Sequence, residues 1–358
     1  MRKGKRLIAW IMAVVMLFTI CVFGGNGTAE AAGAKTAATT PVAKHGRLSV
    51  KGADLVDSKG NKFQLRGIST HGINWDVGSP YVNKKAFKTL RDDWGVNAIR
   101  LAMYTEEYNG YCSGGSQAKL RKLVDKGVGY ATDLGMYAII DWHILSDGNP
   151  NKNKSQAKKF FTTMAKKYKN NKNVIYEICN EPNGCGWKEI KSYATDIIKT
   201  IRKYDKKAVI IVGTPTWSQL GTDGTSNEVA DSPIKGYKNI MYSLHFYASE
   251  WAHNEYLPAK VAYARKKKLP IIVSEFGLSP ASGDGAINKA SADKWMKLLN
   301  KYNISYFCWS LSNKNESASL LKPSTKKTSG WKSGDLSTAG KYIKKKYLAR
   351  KKALGKKA

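Results

Sequence analysis

Two glutamates that lie in apolar, strand-like runs are the residues of this chain best suited to do chemistry. Glu181 lies in residues 178–182 (Ile-Cys-Asn-Glu-Pro), and Glu275 lies in residues 272–277 (Ile-Val-Ser-Glu-Phe-Gly). A carboxylate in such surroundings is costly unless it is paired, hydrogen-bonded or used in catalysis. Two of them suit glycosidic bond hydrolysis, in which one carboxyl protonates the leaving oxygen and the other attacks the anomeric carbon or activates water. The alternative is that each is a structural carboxylate held by an arginine or by backbone amides.

Eight apolar segments of strand length recur along the chain, and helix-length amphipathic segments separate most of them. Strands are predicted at 63–68, 98–103, 137–142, 174–179, 209–212, 240–245, 271–274 and 304–309, and helices at 84–94, 117–134, 156–168, 187–204, 258–268 and 290–302. Apolar strands separated by helices indicate a parallel sheet covered on both faces. We therefore predict an α/β fold, a single (β/α)8 TIM barrel opened by a short β-hairpin over 47–57. A doubly wound open sheet is the alternative, but no Gly-x-Gly-x-x-Gly turn follows the first strand.

Polar and aromatic residues stand at the ends of all eight predicted strands. In chain order they are His71, Arg100 with Tyr104, Asp141-Trp142-His143, Asn180 with Glu181, Trp217, His245 with Tyr247, Glu275, and Trp309. Taken singly, a histidine, tryptophan or arginine in such a position is more often structural. Because a TIM barrel gathers its catalytic groups at the carboxyl ends of its strands, the whole set predicts one site. Histidines and carboxylates could instead bind a metal, but no His-x-x-x-His spacing occurs among them. We predict neither a metal nor another cofactor.

These motifs resemble those of glycoside hydrolase family 5, in particular its secreted bacterial endoglucanases (cellulases), over about residues 46–347. The most specific motif is residues 178–182, and the second is residues 272–277. The remaining matches stand at the expected strand ends: Arg100, His143, His245, Tyr247 and Trp309. The resemblance implies a retaining endo-β-1,4-glucanase that hydrolyses internal bonds of cellulose and related β-glucans by double displacement, without a cofactor.

The resemblance also implies a role for each residue of the predicted site. Glu181 is expected as general acid/base and Glu275 as nucleophile, with their carboxyl groups about 5 to 5.5 Å apart. Arg100 is expected to keep Glu275 ionised, while apolar surroundings and the Glu275 charge raise the pKa of Glu181. Asn180 and Trp309 are expected to meet the sugar next to the cleaved bond. His143 and His245 are expected to contact sugar hydroxyls or brace the carboxylates, and Tyr247 to hold the nucleophile by its phenol. More distant sugars are expected to meet His71, Trp75, Tyr104, Trp217, Lys314 and Glu316.

The first 31 residues have the pattern of a secretory signal peptide. A basic start is followed by an apolar run at 7–24 and a small-x-small site at 29–31. We expect cleavage after Ala31, which predicts a secreted protein with no remaining transmembrane segment; an uncleaved membrane anchor is the alternative. The rest of the chain divides into a flexible lead-in at 32–45, the catalytic domain at 46–347 and a basic tail at 348–358. Since no carbohydrate-binding module is recognisable, soluble or amorphous β-glucan is the expected substrate.

The net charge of +33 is the compositional outlier. The signal segment contributes +3 of it, which leaves +30 on the mature chain and steers the protein toward anionic surfaces. We expect the acid-free segment from Lys341 onward to contact an anionic cell envelope; a solvated lysine-rich surface is the alternative. No nucleic-acid-binding motif accompanies the charge, so no nucleic-acid partner is predicted, nor a membrane partner after signal cleavage. The resemblance implies a monomer.

Four cysteines remain after signal cleavage, and two of them lie in glycine-containing loops. Cys112 and Cys185 could form a disulfide in an exported protein, although the sequence does not define the distance between them. Cys179 and Cys308 lie in apolar runs, which is typical of small buried hydrophobes.

Two other functions remain compatible with the sequence. A β-mannanase or a mixed-linkage β-glucanase would use the same catalytic pair. A non-catalytic polysaccharide-binding wall protein on a barrel scaffold would be free to lose Glu181 or Glu275, and both are present.

Overall fold

The computed structural model describes residues 40–355. Within them a short helix, α1 (Pro41–His45), precedes an antiparallel hairpin of β1 (Ser49–Lys51) and β2 (Asp54–Val56). Eight more strands follow: β3 (Arg66–Thr70), β4 (Ala98–Tyr104), β5 (Tyr137–His143), β6 (Val174–Glu177), β7 (Ile210–Val212), β8 (Ile240–Tyr247), β9 (Ile271–Gly277) and β10 (Tyr306–Leu311). The further helices are α2 (Lys84–Trp94), α3 (Gln117–Asp133), α4 (Lys154–Tyr168), α5 (Trp187–Arg202), α6 (Glu228–Asp231), α7 (Trp251–Lys266), α8 (Lys289–Lys301) and α9 (Thr338–Gly355).

The eight strands β3 to β10 form a closed parallel barrel. Each strand pairs with the next in the chain, and β10 pairs with β3 to close the ring. Every residue of these eight strands is buried, as expected for a sheet with side chains packed on both faces. The predicted (β/α)8 barrel and its opening hairpin are confirmed.

The amino-terminal end of the barrel is filled by apolar side chains. Leu48 and Leu55 of the hairpin region join Phe63, Ile139 and Phe307 in one buried cluster. Gly67 of β3 permits this packing, because a Cβ atom there would lie 2.0 Å from the Phe307 ring. The hairpin therefore closes this end, while the opposite end stays open for a site.

The helices pack their apolar faces on the outside of the barrel. In α2, Asn83 caps the first turn by accepting a hydrogen bond from the Ala86 amide, and Gly95 ends the helix in a left-handed conformation. Its predicted bounds are confirmed. The prediction for α7 was wrong at its start, because the helix begins at Trp251 and contains Pro258. A proline is common in the first turn of a helix, but here residues 251–257, about two turns, precede Pro258. At the start of α7, the Asn254 side-chain amide donates to the carbonyls of Ala248 and Glu250.

The ends of the described chain are helical. The signal peptide at 1–31 and most of the lead-in at 32–45 lie outside the described residues. The described part of the lead-in forms α1, whose Val42 amide donates to the Gly135 carbonyl at 2.9 Å. The predicted boundary at 347/348 falls inside α9, and buried Tyr347 bonds the Gly67 carbonyl at 2.8 Å. No helix within residues 40–355 has the length and apolar character needed to cross a bilayer.

The disulfide considered between Cys112 and Cys185 is not formed. Both are free thiols, and both are partly buried against the main hydrophobic core. Burial raises the pKa of Cys112 to about 12 and that of Cys185 to about 11, so both remain protonated at neutral pH. Cys179 and Cys308 are fully buried, as the apolar runs around them predicted.

Candidate active site

Glu181 and Glu275 meet at the carboxyl end of the barrel. Glu275 belongs to β9, and Glu181 follows β6 by four residues, where its backbone amide donates to the Ile144 carbonyl at 3.3 Å. One carboxylate oxygen of each, together with a ring nitrogen of His245, lies within 4.8 Å of the others. This proximity suits a retaining pair, whose carboxyl groups lie about 5 to 5.5 Å apart, rather than an inverting pair with room for water between them.

The Glu275 carboxylate is held by bonds from two other strands. The Tyr247 hydroxyl of β8 donates to Oε1 at 2.8 Å, and Arg100 Nη1 of β4 donates to Oε2 at 2.9 Å. The side chain is almost fully buried. Both oxygens are therefore oriented before any ligand enters, as nucleophilic attack requires.

Arg100 is the centre of a buried ionic network. Its Nε donates to Glu177 at 2.7 Å and its Nη2 lies 3.1 Å from Asp141, in addition to the Glu275 pair. Burial opposes the guanidinium charge, but these three carboxylates raise the pKa of Arg100 above its ordinary value. Glu177 was absent from the predicted site, and Asp141 was named at a strand end without an assigned role. Their signal was present, since each is a carboxylate in the same apolar run as a predicted residue, Glu181 or His143.

Glu181 has the environment of a general acid. Its side chain is 13 % exposed, and burial raises its pKa to about 8 against the opposing effect of Arg100, with further contributions from Asp141 and Glu177. It is therefore protonated at neutral pH. Its Oε1 lies 2.8 Å from His245 Nδ1.

A chain of hydrogen bonds determines which nitrogen of His245 carries the proton. The Ser243 hydroxyl donates to the Glu177 carboxylate at 3.1 Å, so it must accept from Ser274, 2.8 Å away. Ser274 in turn accepts from His245 Nε2 at 2.9 Å. Burial lowers the pKa of His245 to about 4, so the ring is neutral and its Nδ1 is left as an acceptor. The protonated Glu181 carboxyl can then donate to it, which favours the acid form of Glu181.

His143, which lines the cleft, and Asn180, which lies beneath it, form a second fixed arrangement. His143 Nδ1 lies 2.6 Å from Asp141, and burial lowers the pKa of His143 to about 3, so the neutral ring donates from Nδ1. Asn180 Nδ2 lies 3.2 Å from His143 Nε2 and donates to the Ile144 carbonyl at 3.0 Å, while its Oδ1 accepts from Arg100 at 2.6 Å. The side-chain amide of Asn180 is thus held by three partners.

Aromatic rings form one wall of the cleft. Trp309, which precedes a cis peptide bond, stacks on His143 with ring centres 5.2 Å apart. Tyr104 contacts His143 at 4.1 Å and Trp75 at 4.5 Å between ring centres. The Trp75 indole donates to the Tyr108 carbonyl at 2.7 Å, so its ring orientation is fixed. Such a wall suits the apolar faces of pyranose rings.

The predicted outer residues line the same cleft. Lys314 pairs with Glu316 at 2.5 Å, and His71 Nε2 lies 3.6 Å from Glu316. Burial lowers the pKa of His71 to about 3, so this histidine is neutral. Trp217 is 44 % exposed and lies in the turn Pro215–Ser218, where its φ of 53° is left-handed.

The cleft has a volume of about 600 Å³, and twelve of the fourteen predicted site residues line it. The other two, Arg100 and Asn180, lie buried beneath it. Residues that the sequence did not single out also line it: Glu107, Leu145, Gln219, Glu250, His253, Ala281, Ser282 and Gly283. All but His253, which lies in the first turn of α7, come from loops between strands and helices, where no periodicity marks a residue as facing the cleft.

Glu181, His245 and Glu275 are also the one group of potential metal ligands found within residues 40–355. Both oxygens of Glu275 already accept hydrogen bonds, and the Arg100 guanidinium 2.9 Å away would repel a second cation. This donor set suits acid–base and nucleophilic chemistry better than metal binding.

Comparisons with known proteins agree with this geometry. The model of the cellulase family, glycosyl hydrolase family 5, matches residues 56–315. An endoglucanase of Clostridium saccharobutylicum is 46 % identical over 346 residues, which are 95 % of this chain and 72 % of that protein. Endoglucanase A of Butyrivibrio fibrisolvens is 45 % identical over 303 residues, 84 % of this chain and 68 % of that protein.

Solved structures give the same result. The catalytic domain of Thermobifida fusca endoglucanase Cel5A superposes with a TM-score of 0.80 at 37 % identity, covering 86 % of this chain and 99 % of that domain. Cellulase Cel5C_n superposes with a TM-score of 0.81 at 39 % identity, covering 86 % of this chain and 94 % of that one. The barrel, the cleft and these likenesses together show that the chain belongs to glycoside hydrolase family 5, the cellulase family.

Proposed function

We propose that the protein is a secreted, retaining endo-β-1,4-glucanase that cleaves internal bonds of soluble or amorphous β-glucan. The observation that carries the proposal is the pair Glu181 and Glu275, whose oxygens approach within 4.8 Å in an open cleft. The relatives named endoglucanases support the substrate class.

In the first step Glu275 attacks the anomeric carbon while Glu181 gives its proton to the glycosidic oxygen. The bond between that carbon and oxygen breaks, and the shortened chain leaves as an alcohol. The Tyr247 and Arg100 bonds orient the attacking carboxylate. The raised pKa of Glu181, about 8, supplies an acid that is protonated at neutral pH.

In the second step Glu181, now ionised, takes a proton from water as that water attacks the anomeric carbon. The bond from this carbon to Glu275 breaks, the configuration is retained, and both glutamates return to their starting forms. His245 can adjust to both forms of Glu181. Its neutral imidazole accepts a hydrogen bond from the protonated Glu181 carboxyl, and the ring can reorient when Glu181 is ionised.

Sugar binding is proposed along the aromatic wall. Trp309 would support the ring next to the cleaved bond, with Asn180 and His143 near its hydroxyls. Trp75, Tyr104, His71, Lys314 and Glu316 would bind sugars on one side of that ring, and exposed Trp217 would bind sugars on the other. Indole and phenol rings stacked on pyranose faces supply the apolar contact, while the charged residues select hydroxyls.

Export, a monomeric state and a contact with an anionic envelope are parts of the same proposal. Export and the envelope contact rest on the signal pattern at 1–31 and on the +30 charge of the mature chain, whereas the monomeric state rests on the family resemblance alone. Sedimentation and assay of the culture medium against the cell fraction test them.

The decisive experiment compares the wild type with Glu275→Gln on carboxymethyl cellulose, mixed-linkage β-glucan and mannan. Reducing ends released by the wild type from the glucans, with mannan untouched and the variant inactive, support the proposal. Preference for mannan would keep the mechanism and replace the substrate. Silence on all three polymers would overturn the catalytic proposal in favour of a polysaccharide-binding protein.

Stereochemistry tests the mechanism separately. Proton NMR of a cello-oligosaccharide digest shows which anomer forms before mutarotation. A first-formed β-anomer supports double displacement, whereas a first-formed α-anomer would require an inverting mechanism.

A further inference from the structure

A second cleft lies at the amino-terminal end of the barrel, opposite the catalytic site, and its described lining holds six cationic side chains and one carboxylate. We call it the basic cleft. Its volume is about 1010 Å³, and it lies between α1, the segment after β2 and the last turns of α9. The basic residues that line it are Lys44, Lys59, Lys62, Arg66, Lys351 and Lys352.

The acidic groups near the basic cleft already bind other groups of the protein. Asp57 is the one carboxylate among its described lining residues, and its Oδ1 accepts from the backbone amides of Lys59 and Asn61 at 2.9 Å each. Its Oδ2 lies 3.0 Å from His45 Nδ1. Lys62 pairs with Asp54 at 2.9 Å. The other five cations form no ion pair within the described part of the chain, so the cleft carries uncompensated positive charge.

Arg66 is the strongest indication that the positive charge of the basic cleft serves to bind a ligand. The side chain is 8 % exposed, and its one hydrogen bond among the described residues is a long one, 3.4 Å from Nη1 to the Gln64 carbonyl. Its Nε is buried without a partner. Arg100, at the other barrel end, shows the contrast, because three carboxylates surround it. A buried guanidinium without an anion is costly, which implies a ligand that supplies one.

Asn303 adds a second unused donor to the same cleft. This residue precedes β10 in a left-handed conformation, with φ of 56°. Its Oδ1 accepts from Arg350 Nη2 at 3.5 Å, but its Nδ2 is buried and unpartnered. Both unsatisfied groups of the basic cleft are therefore donors, and such a pair calls for an acceptor ligand.

We propose that the basic cleft binds an oxyanion of the phosphate class, either as a free ion or as a phosphate group of an anionic polymer. Arg66 and Asn303 donate to its oxygens, and the lysines at the rim neutralise its charge. A guanidinium fork matches the spacing of phosphate oxygens, and a doubly charged anion offsets more of the excess positive charge than a carboxylate does. The binding is independent of glucan hydrolysis, because the two sites lie at opposite ends of the barrel.

Calorimetric titration with inorganic phosphate at constant ionic strength tests the proposal. We expect saturable binding by the wild type and at least about tenfold weaker binding by Arg66→Gln, the loss expected for a charge-assisted hydrogen bond. Asn303→Gly, which keeps the left-handed backbone, should weaken it about threefold to tenfold. The control is Lys119→Ala/Lys122→Ala on α3, which removes two exposed charges elsewhere. Equal weakening in the control, or no weakening in Arg66→Gln, would overturn the site.

Thermal unfolding separates ligand binding from a structural role of Arg66. Without phosphate, Arg66→Gln should unfold at or above the wild-type temperature, because the variant no longer buries an unpaired charge. With phosphate, the wild type should gain stability and the variant should not. A variant less stable than the wild type in both conditions would show that Arg66 is structural and would refute the proposal.

A linear polyphosphate distinguishes the two sources of the anion. If the natural ligand is a polymer, polyphosphate should bind more tightly per phosphate than the free ion, and Lys351→Ala/Lys352→Ala should reduce this advantage. Equal affinity per phosphate would identify the free ion as the ligand. Binding of polyphosphate that Arg66→Gln leaves unchanged would reject the cleft as the site of contact.

Discussion

At the amino-terminal end of the barrel, the interior is filled by side chains such as Leu65, Ile139 and Phe307, whereas at the carboxyl end it holds Arg100, Glu177 and Asp141. Ile139 and Asp141 lie in the same strand, β5, and the side chains of both groups are equally buried. Each apolar side chain stabilises the fold by about 1.5 to 3 kcal/mol. A buried ion network stabilises it little, because desolvation offsets the attraction between the charges.

This difference teaches which end of the barrel serves stability and which serves chemistry. Ions are kept at the carboxyl end although apolar residues of similar size would fold as well. These ions orient the catalytic groups. Arg100 orients Glu275, and Glu177 starts the hydrogen-bond chain that reaches Glu181. Substitutions at the two ends should therefore separate activity from stability.

The largest effect is expected from Glu275→Gln at the carboxyl end. Removal of the nucleophile with little change of shape should lower kcat by about 10⁴-fold or more. The unfolding temperature should stay close to that of the wild type. Glu250→Gln is the matched control, because Glu250 lines the same cleft but bonds the Ala281 amide instead of the reacting centre. Near-normal turnover by Glu275→Gln would remove Glu275 from the mechanism.

Arg100→Met should lower both stability and activity. It leaves Asp141, Glu177 and Glu275 buried without their cation, which should lower the free energy of unfolding by about 3 to 5 kcal/mol. Turnover per folded molecule should fall as well, since Glu275 loses one of its two orienting bonds. Urea unfolding and active-site titration measure the two effects. A stable, active variant would show that the network is dispensable.

Phe307→Ala at the amino-terminal end should lower the free energy of unfolding by a similar amount and leave catalysis unchanged. The cavity left beside Gly67 should lower the free energy of unfolding by about 3 to 5 kcal/mol. The kcat of the folded fraction at 25 °C should match the wild type. A large loss of kcat without unfolding would mean that the two ends are not separate.

Ser274→Ala should move the pH profile while leaving the nucleophile intact. In the wild type, kcat/KM should fall as pH rises through about 8, because the raised pKa of Glu181 means that the acid loses its proton there. Without the Ser274 acceptor, His245 can carry its proton on Nδ1 and donate to ionised Glu181. The basic limb should then move down by about 1 pH unit, equivalent to about 1.4 kcal/mol.

The control for this shift is Ser69→Ala, which removes a buried hydroxyl near Arg100 but outside the hydrogen-bond chain. Its basic limb should coincide with that of the wild type. If Ser69→Ala and Ser274→Ala moved the limb equally, the chain would not set the proton position on His245.

Trp217→Ala is expected to have the smallest effect. Trp217 is exposed at the edge of the cleft, so its loss should raise KM for a long soluble glucan about fivefold, about 1 kcal/mol, and leave kcat unchanged. The KM of Trp217→Phe, which retains an aromatic ring, should lie between that of the wild type and that of Trp217→Ala. An unchanged KM in Trp217→Ala would place the sugar chain elsewhere.

The strand pattern made the fold predictable from sequence. Every barrel strand except β3 is mainly apolar, and each predicted segment overlaps an observed strand, because burial on both faces leaves a strong local signal. The start of α7 was missed, since Pro258 reads locally as a first-turn residue although the helix passes through it. The docking of α1 also required the structure, because the contact of Val42 with Gly135 spans distant parts of the chain.

The candidate site was predictable at the level of residue types at strand ends, and its network was not. Glu177 and Ser243 are four and two residues before predicted site residues, in runs whose alternation reveals nothing about hydrogen bonds. Their importance arises only when the closed barrel brings side chains of β6, β8 and β9 into contact. Arg66 of the basic cleft escaped notice for the same reason, since the absence of a partner is a property of the folded surroundings.

The sequence by itself determined the number and order of the strands, the strand ends that bear polar groups, and the family motifs around Glu181 and Glu275. These features are local, because periodicity and motif spacing are properties of neighbouring residues. Only the tertiary structure decided the pKa of Glu181, the proton position on His245 and the network around Arg100. Those properties depend on charges and hydrogen bonds between residues far apart in the chain, such as Arg100 and Glu275, which are 175 positions apart and 2.9 Å from each other.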